Sequence, residues 1–201
     1  MRFIINLIGL LFNPIFMPLV GAFLYFSITP RFTPERTETV VLLALLIITV
    51  IVPYIFYLLL RNLNWVRTRE LTDLDERKVP LFLCIILILI TFTKIVPSSL
   101  SNELHYYFVG ILITLISCLI LLYLNFKASM HMMGICGLLT FVVMLSIHYQ
   151  TNLTTLIACL TLCSGAVATA RLYLNFHDIE EIIIGSLIGI IPQFTILGYW
   201  I

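Results

Sequence analysis

Seven long apolar stretches constrain this chain more than any other feature. They fall at residues 3–28, 39–60, 80–97, 105–125, 130–148, 153–170 and 182–201, each near the roughly 20 residues a helix needs to cross a bilayer. Hydrocarbon offers no hydrogen bonds to an open backbone, so segments of this kind are expected as helices. The expected fold is therefore all-α: a polytopic bundle of about seven spans. With 61% hydrophobic and only 10% charged residues, the chain carries more apolar side chain than a water-soluble fold can hide. The spans leave too little sequence for a soluble module, so residues 1–201 read as a single integral membrane domain.

The first stretch begins with Arg2 ahead of an apolar run, as a signal peptide does. It lacks a small-residue cleavage site, and about 25 apolar residues exceed a signal core. It reads as a retained span, bent by Pro14 and Pro18. The third stretch carries Thr91, Thr93 and Lys94 near its end. The sixth is rich in small and hydroxyl residues, which allow close helix approach and place it at the centre of the bundle.

A net charge of +1 provides no field to recruit nucleic acid, and no basic run alternates with aromatics. Cys84, Cys118, Cys136, Cys159 and Cys163 all lie in apolar stretches without a Cys-x-x-Cys pair, and read as small buried hydrophobes rather than disulfides or zinc ligands. No metal-ligand spacing is present, so neither metal nor other cofactor is expected.

Seven spans place the connections alternately on two sides. Arg2, Arg61, Arg67, Arg69, Arg77, Lys78, Lys127 and Arg171 fall on one, against Arg31, Arg36 and Lys94 on or near the other. His131 and His177 begin the fifth and seventh spans on the basic side. His105 and His148 lie at the opposite face, and about 25 Å of helix separates His131 from His148.

Three segments meet on the basic side: the loop LTDLDERKVP, the helix start KASMHMMG and the turn ARLYLNFHDIEE. Each has an ordinary explanation: a positive-inside connector, an N-cap at Ser129, and a capping box formed by Asp178 and Glu181. Together they offer an anion site. Ser129 and His131 open a helix whose free N–H groups suit phosphate, and Arg77, Lys78 and Arg171 bring positive charge. His177 and Glu181 stand at i, i+4, where the carboxylate orients the imidazole. Arg171 and His177, six residues apart, need a break between two spans to point at one place.

The turn ARLYLNFHDIEEIIIGSLIG resembles the third motif of the type 2 phosphatidic acid phosphatase family: Ser-Arg, five residues, His, three residues, Asp. The match is Arg171, His177 and Glu181, with Ala170 in place of serine and Glu in place of Asp. ASMH resembles the second motif through Ser129 and His131. ERKVP is an approximate counterpart of the first through Arg77, Lys78 and Pro80, with Glu70 where that motif has lysine. The resemblance spans about 70–190 and is nearest to a divergent, seven-span bacterial branch, which implies an inner (cytoplasmic) membrane.

The resemblance implies metal-independent hydrolysis of a lipid phosphomonoester or diphosphate. His177 would be the nucleophile, Glu181 its positioning group and His131 the acid and base. Arg171, Ser129, Arg77 and Lys78 would hold phosphate, with Lys127 as an additional contact or a snorkelling anchor. The partners implied are the lipid phosphate and the surrounding membrane lipids. Two alternatives stand beside it: a non-catalytic relative that binds lipid phosphate, and a small transporter. The transporter is disfavoured because the apolar stretches hold almost no ionisable group except Lys94. The membrane side of the site and the oligomeric state are left open, since removing the proposed site residues reduces the basic asymmetry to four against three.

Overall fold

A computed structural model describes residues 2–66 and 73–200. Its described residues hold seven helical spans long and apolar enough to cross a membrane: Leu7–Ile28, Glu35–Asn62, Leu74–Ile95, Asn102–Tyr123, Met130–His148, Thr154–Tyr173 and Ile179–Tyr199. The first is broken into α1 (Arg2–Leu11) and α2 (Met17–Ile28) by a 3-10 turn at Pro14–Phe16. There the Asn13 side chain accepts from the Ile15 N–H, and Pro14 starts the turn without needing a donor of its own. The second span joins α3 (Glu35–Leu45) to α4 (Val52–Asn62) through a π-helical segment. α5 (Leu74–Ile90) likewise continues into a π-helical turn. α6 (Asn102–Tyr123), α7 (Met130–His148), α8 (Thr154–Tyr173) and α9 (Ile179–Thr195) are the remaining spans.

The second, fourth and sixth spans end alike. Asn64, Asn125 and Asn175 adopt left-handed φ of 58°, 60° and 52°. The aromatic residue after each donates back to a carbonyl five residues earlier: Trp65 to Leu60, Phe126 to Leu121 and Phe176 to Arg171. Asparagine tolerates this conformation, and the returning bond satisfies a carbonyl the helix would otherwise leave bare. These Asn-aromatic stops reverse the chain on the face where the basic residues gather.

α7, not α8, occupies the centre. The apolar window of α7 is 61% buried, against 22% for α8. Gly165 of α8 faces open space, where a Cβ would meet nothing. Close packing occurs instead between α7 and α9. A Cβ on Gly189 would collide with the carbonyl of Met133, and one on Gly137 would lie 3.3 Å from that of Gly189. Gly185 and Gly189 form a small-xxx-small pair that brings α9 against the backbone of α7. This contact fixes the start of α7 relative to the start of α9, and a backbone bond from Ser129 N–H to the Glu181 carbonyl, 3.1 Å, locks the two ends together.

The stretch ERKVP is helix, not loop. The Asp73 side chain caps α5 by accepting from the Asp75 N–H, and Asp75 and Glu76 suit the positive end of its dipole. Arg77 and Lys78 therefore sit in a regular helix. Arg67, Arg69 and Glu70 lie outside the described residues.

Candidate functional site

The turn between α8 and α9 supplies the densest chemistry. Arg171 stands in the last turn of α8, the chain reverses at Asn175, and His177 precedes the Asp178 N-cap of α9. Asp178 and Glu181 form a reciprocal capping box. Glu181 serves a second partner as well: its Oε2 lies 2.6 Å from Nδ1 of His177, whose side chain is 5% exposed. A carboxylate only accepts, so Nδ1 carries the proton and the neutral ring keeps its lone pair on Nε2. Burial pushes the His177 pKa below its ordinary 6.5, and Arg77 and Lys127 push it the same way against the opposing pull of Glu181. The ring is therefore neutral near pH 7.

Lys127 donates to the carbonyl of Phe176 at 2.9 Å, tying the entry of α7 to the same turn. Its own pKa is lowered, chiefly by burial and then by Arg77. In the first turn of α7, Nε2 of His131 lies 2.7 Å from Nη2 of Arg171 and 3.2 Å from the carbonyl oxygen of Gly9 in α1. The Arg171 guanidinium also lies over the Phe176 ring, 5.6 Å from its centroid.

These side chains enclose one small cavity, about 40 Å³, lined by Arg77, Lys127, Met130, His131, Arg171, Phe176 and His177. Four of the expected site residues, His131, His177, Arg171 and Arg77, thus meet at one place, and Glu181 reaches it through His177. Lys78 does not line the cavity. Adjacent residues on a helix point about 100° apart, so a buried Arg77 turns Lys78 away. Its Nζ pairs with Asp75 at 2.6 Å and lies 5.0 Å from the Tyr123 ring centroid. Ser129 is also off the lining. It is the N-cap residue of α7, fully buried where a Cβ on Gly185 would touch its backbone, and its Oγ makes no hydrogen bond.

Sequence reasoning missed the contribution of the first span. Gly9 enters through its backbone carbonyl, a group that every residue type carries. It also missed a buried polar hub at the opposite face. Glu103, 0% exposed in the first turn of α6, pairs with Arg31 at 3.0 Å and with His148 at 3.4 Å. It accepts from Tyr149 at 3.1 Å, Ser101 at 3.2 Å and Tyr25 at 3.4 Å. The ionisable group buried in the spans on that side is thus Glu103, whereas Lys94 is exposed. A carboxylate at the start of an otherwise apolar stretch was the available signal.

The fold and cavity define a class: an all-helical integral membrane protein with a cationic, two-histidine pocket at one end of its bundle. No family model, curated protein or solved structure matches the chain.

Proposed function

We propose that this protein is a metal-independent phosphatase acting on a lipid phosphomonoester or diphosphate through a phosphohistidine on His177. The observation that carries the reading is the His177–Glu181 pair beside Arg77, Lys127 and Arg171. Glu181 holds Nδ1–H, so Nε2 is the free nucleophile, and the cations favour the charge that develops on the phosphoryl oxygens.

In the first step the Nε2–P bond forms as the bond from phosphorus to the leaving oxygen breaks, and His131 gives that oxygen a proton. In the second, His131 takes a proton from water as the water oxygen attacks phosphorus. The P–N bond then breaks, releasing inorganic phosphate. A lipid substrate fits the surroundings. An apolar cavity of about 80 Å³, walled by Pro14, Met17, Ile111, Leu115 and Met133, adjoins the polar one, and Met130 lines both.

Release of inorganic phosphate from phosphatidic acid, phosphatidylglycerophosphate and undecaprenyl diphosphate, in detergent with chelator, tests the reading. Turnover is expected from at least one and must vanish in His177→Ala; turnover that persists in that variant overturns it. The placement of Lys78 on Asp75, away from the cavity, favours the second reading of a lipid-phosphate binder without turnover. Labelled phosphate trapped on His177 separates the two.

A further inference from the structure

The two contacts of His131 Nε2 cannot coexist. Arg171 has only donors, so its Nη2 at 2.7 Å requires an unprotonated Nε2. The Gly9 carbonyl has only lone pairs, so at 3.2 Å it is a partner only for a protonated Nε2. One nitrogen thus stands between partners suited to two protonation states, and 2.7 Å against 3.2 Å marks the Arg171 state as the one occupied.

The first span is shaped for this arrangement. Gly9 is buried, α1 packs on α8, and a Cβ at residue 9 would lie 2.5 Å from Nη2 of Arg171. Only a residue without a side chain lets the guanidinium lie between α1 and His131. The other charged or titratable groups lining the same cavity are Arg77, Lys127 and His177, from α5, the entry of α7 and the α8–α9 turn.

We infer that Gly9 is a positioning residue through which anion binding arms His131: a bound phosphoryl group draws Arg171 off Nε2, and the nitrogen then takes a proton and donates it to the Gly9 carbonyl. This rests on the reading of the cavity as a phosphate site. An anion attracts the guanidinium more strongly than a neutral imidazole does, because both partners then carry charge. The anion also offsets the positive charge of Arg77 and Arg171, which otherwise opposes a charged imidazolium. One proton enters from solvent, an N–H bond forms on Nε2, and no other bond changes. The acid needed for the leaving oxygen is therefore present only when substrate is. It stands between the Gly9 carbonyl and the space that Nη2 vacates.

The test is 15N NMR of histidine-labelled protein in detergent at pH 7, with sulfate as the probe because it does not titrate in this range. In the free protein the His131 Nε2 signal is expected in the unprotonated range, and saturating sulfate is expected to move it to the protonated range. In Gly9→Ala the Cβ expels Nη2, so Nε2 is expected protonated without sulfate. Arg171→Met removes the donor without touching α1 and is expected to give the same signal, which covers a failure of Gly9→Ala to fold. The inference is overturned if Nε2 is protonated in the free protein, if sulfate leaves its state unchanged, or if both variants keep the free-protein signal. None of these readouts needs turnover. Absence of phosphatase activity alongside the expected shifts would sink the enzymatic reading alone, and turnover without the shifts would sink this inference alone.

Discussion

His177 Nδ1 stands 2.6 Å from Glu181 Oε2 across the turn that starts α9, and the same carboxylate closes the capping box with Asp178. One side chain therefore serves helix initiation and ring orientation together, and substitutions separate the two. Glu181→Gln keeps a cap acceptor but loses the charge that fixes the Nδ1–H tautomer. Turnover is expected to fall on the order of a hundredfold or more, with thermal stability in detergent changed by less than about 1 kcal/mol. Glu181→Ala should add a stability loss of about 1 kcal/mol. Equal turnover in Glu181→Gln and the unsubstituted protein would show that the ring is held by other means.

The pH profile follows from the lowered His177 pKa. A neutral ring is the nucleophile, so its active fraction falls as pH drops through that pKa, which lies below the ordinary 6.5. The acid limb of kcat/KM is therefore expected to have its midpoint below pH 6.5. Lys127→Met removes one of the charges that depress the pKa, so the acid limb should move to higher pH. A limb above 6.5 in the unsubstituted protein contradicts the geometry.

Arg77 and Lys78 differ by one residue and by about 100° around α5. Arg77 is 4% exposed on the cavity, while Lys78 is engaged by Asp75 and Tyr123. Arg77→Ala is expected to raise KM or lower kcat by on the order of tenfold or more, as loss of a charge-assisted contact implies. Lys78→Ala should change either by less than about twofold, a pair interaction at a partly exposed site being weak. Steady-state kinetics on a short-chain lipid phosphate distinguishes them.

The α7–α9 contact predicts a second contrast. Gly189→Ala places a methyl group against the Met133 carbonyl and should cost about 1–3 kcal/mol, measured by thermal unfolding in detergent. Because this contact sets His131 against His177, activity should fall with it. Gly165→Ala, whose methyl group meets nothing, should leave both unchanged or raise stability slightly.

At the far face, Glu103 joins α2, the Arg31 loop, α6 and the end of α7. Glu103→Ala removes the acceptor shared by five partners and should destabilise the fold by about 1–3 kcal/mol, the range for leaving buried hydrogen-bonding groups without a partner. Glu103→Gln keeps the shape and should cost less. Unfolding monitored by tryptophan fluorescence will report both, since Trp200 meets His148 edge to face in this cluster, ring centroids 5.3 Å apart.

The sequence by itself determined the helical class and the number of spans, because length and apolarity are set residue by residue in a solvent that admits little else. It also determined the pairing of His177 with Glu181, since only three residues separate them across the Asp178 cap, although His177 stands just ahead of the helix rather than on its first turn. Only the tertiary structure decided which of Arg77 and Lys78 reaches the cavity, because that depends on where α5 begins and how it is rotated. It decided that α7 rather than α8 is central, because small residues permit close packing without specifying a partner. It placed the Gly9 carbonyl on His131 and gathered five partners around Glu103, since backbone groups carry no residue-specific signal and the four partners 45 to 78 residues away meet it only once the helices are packed.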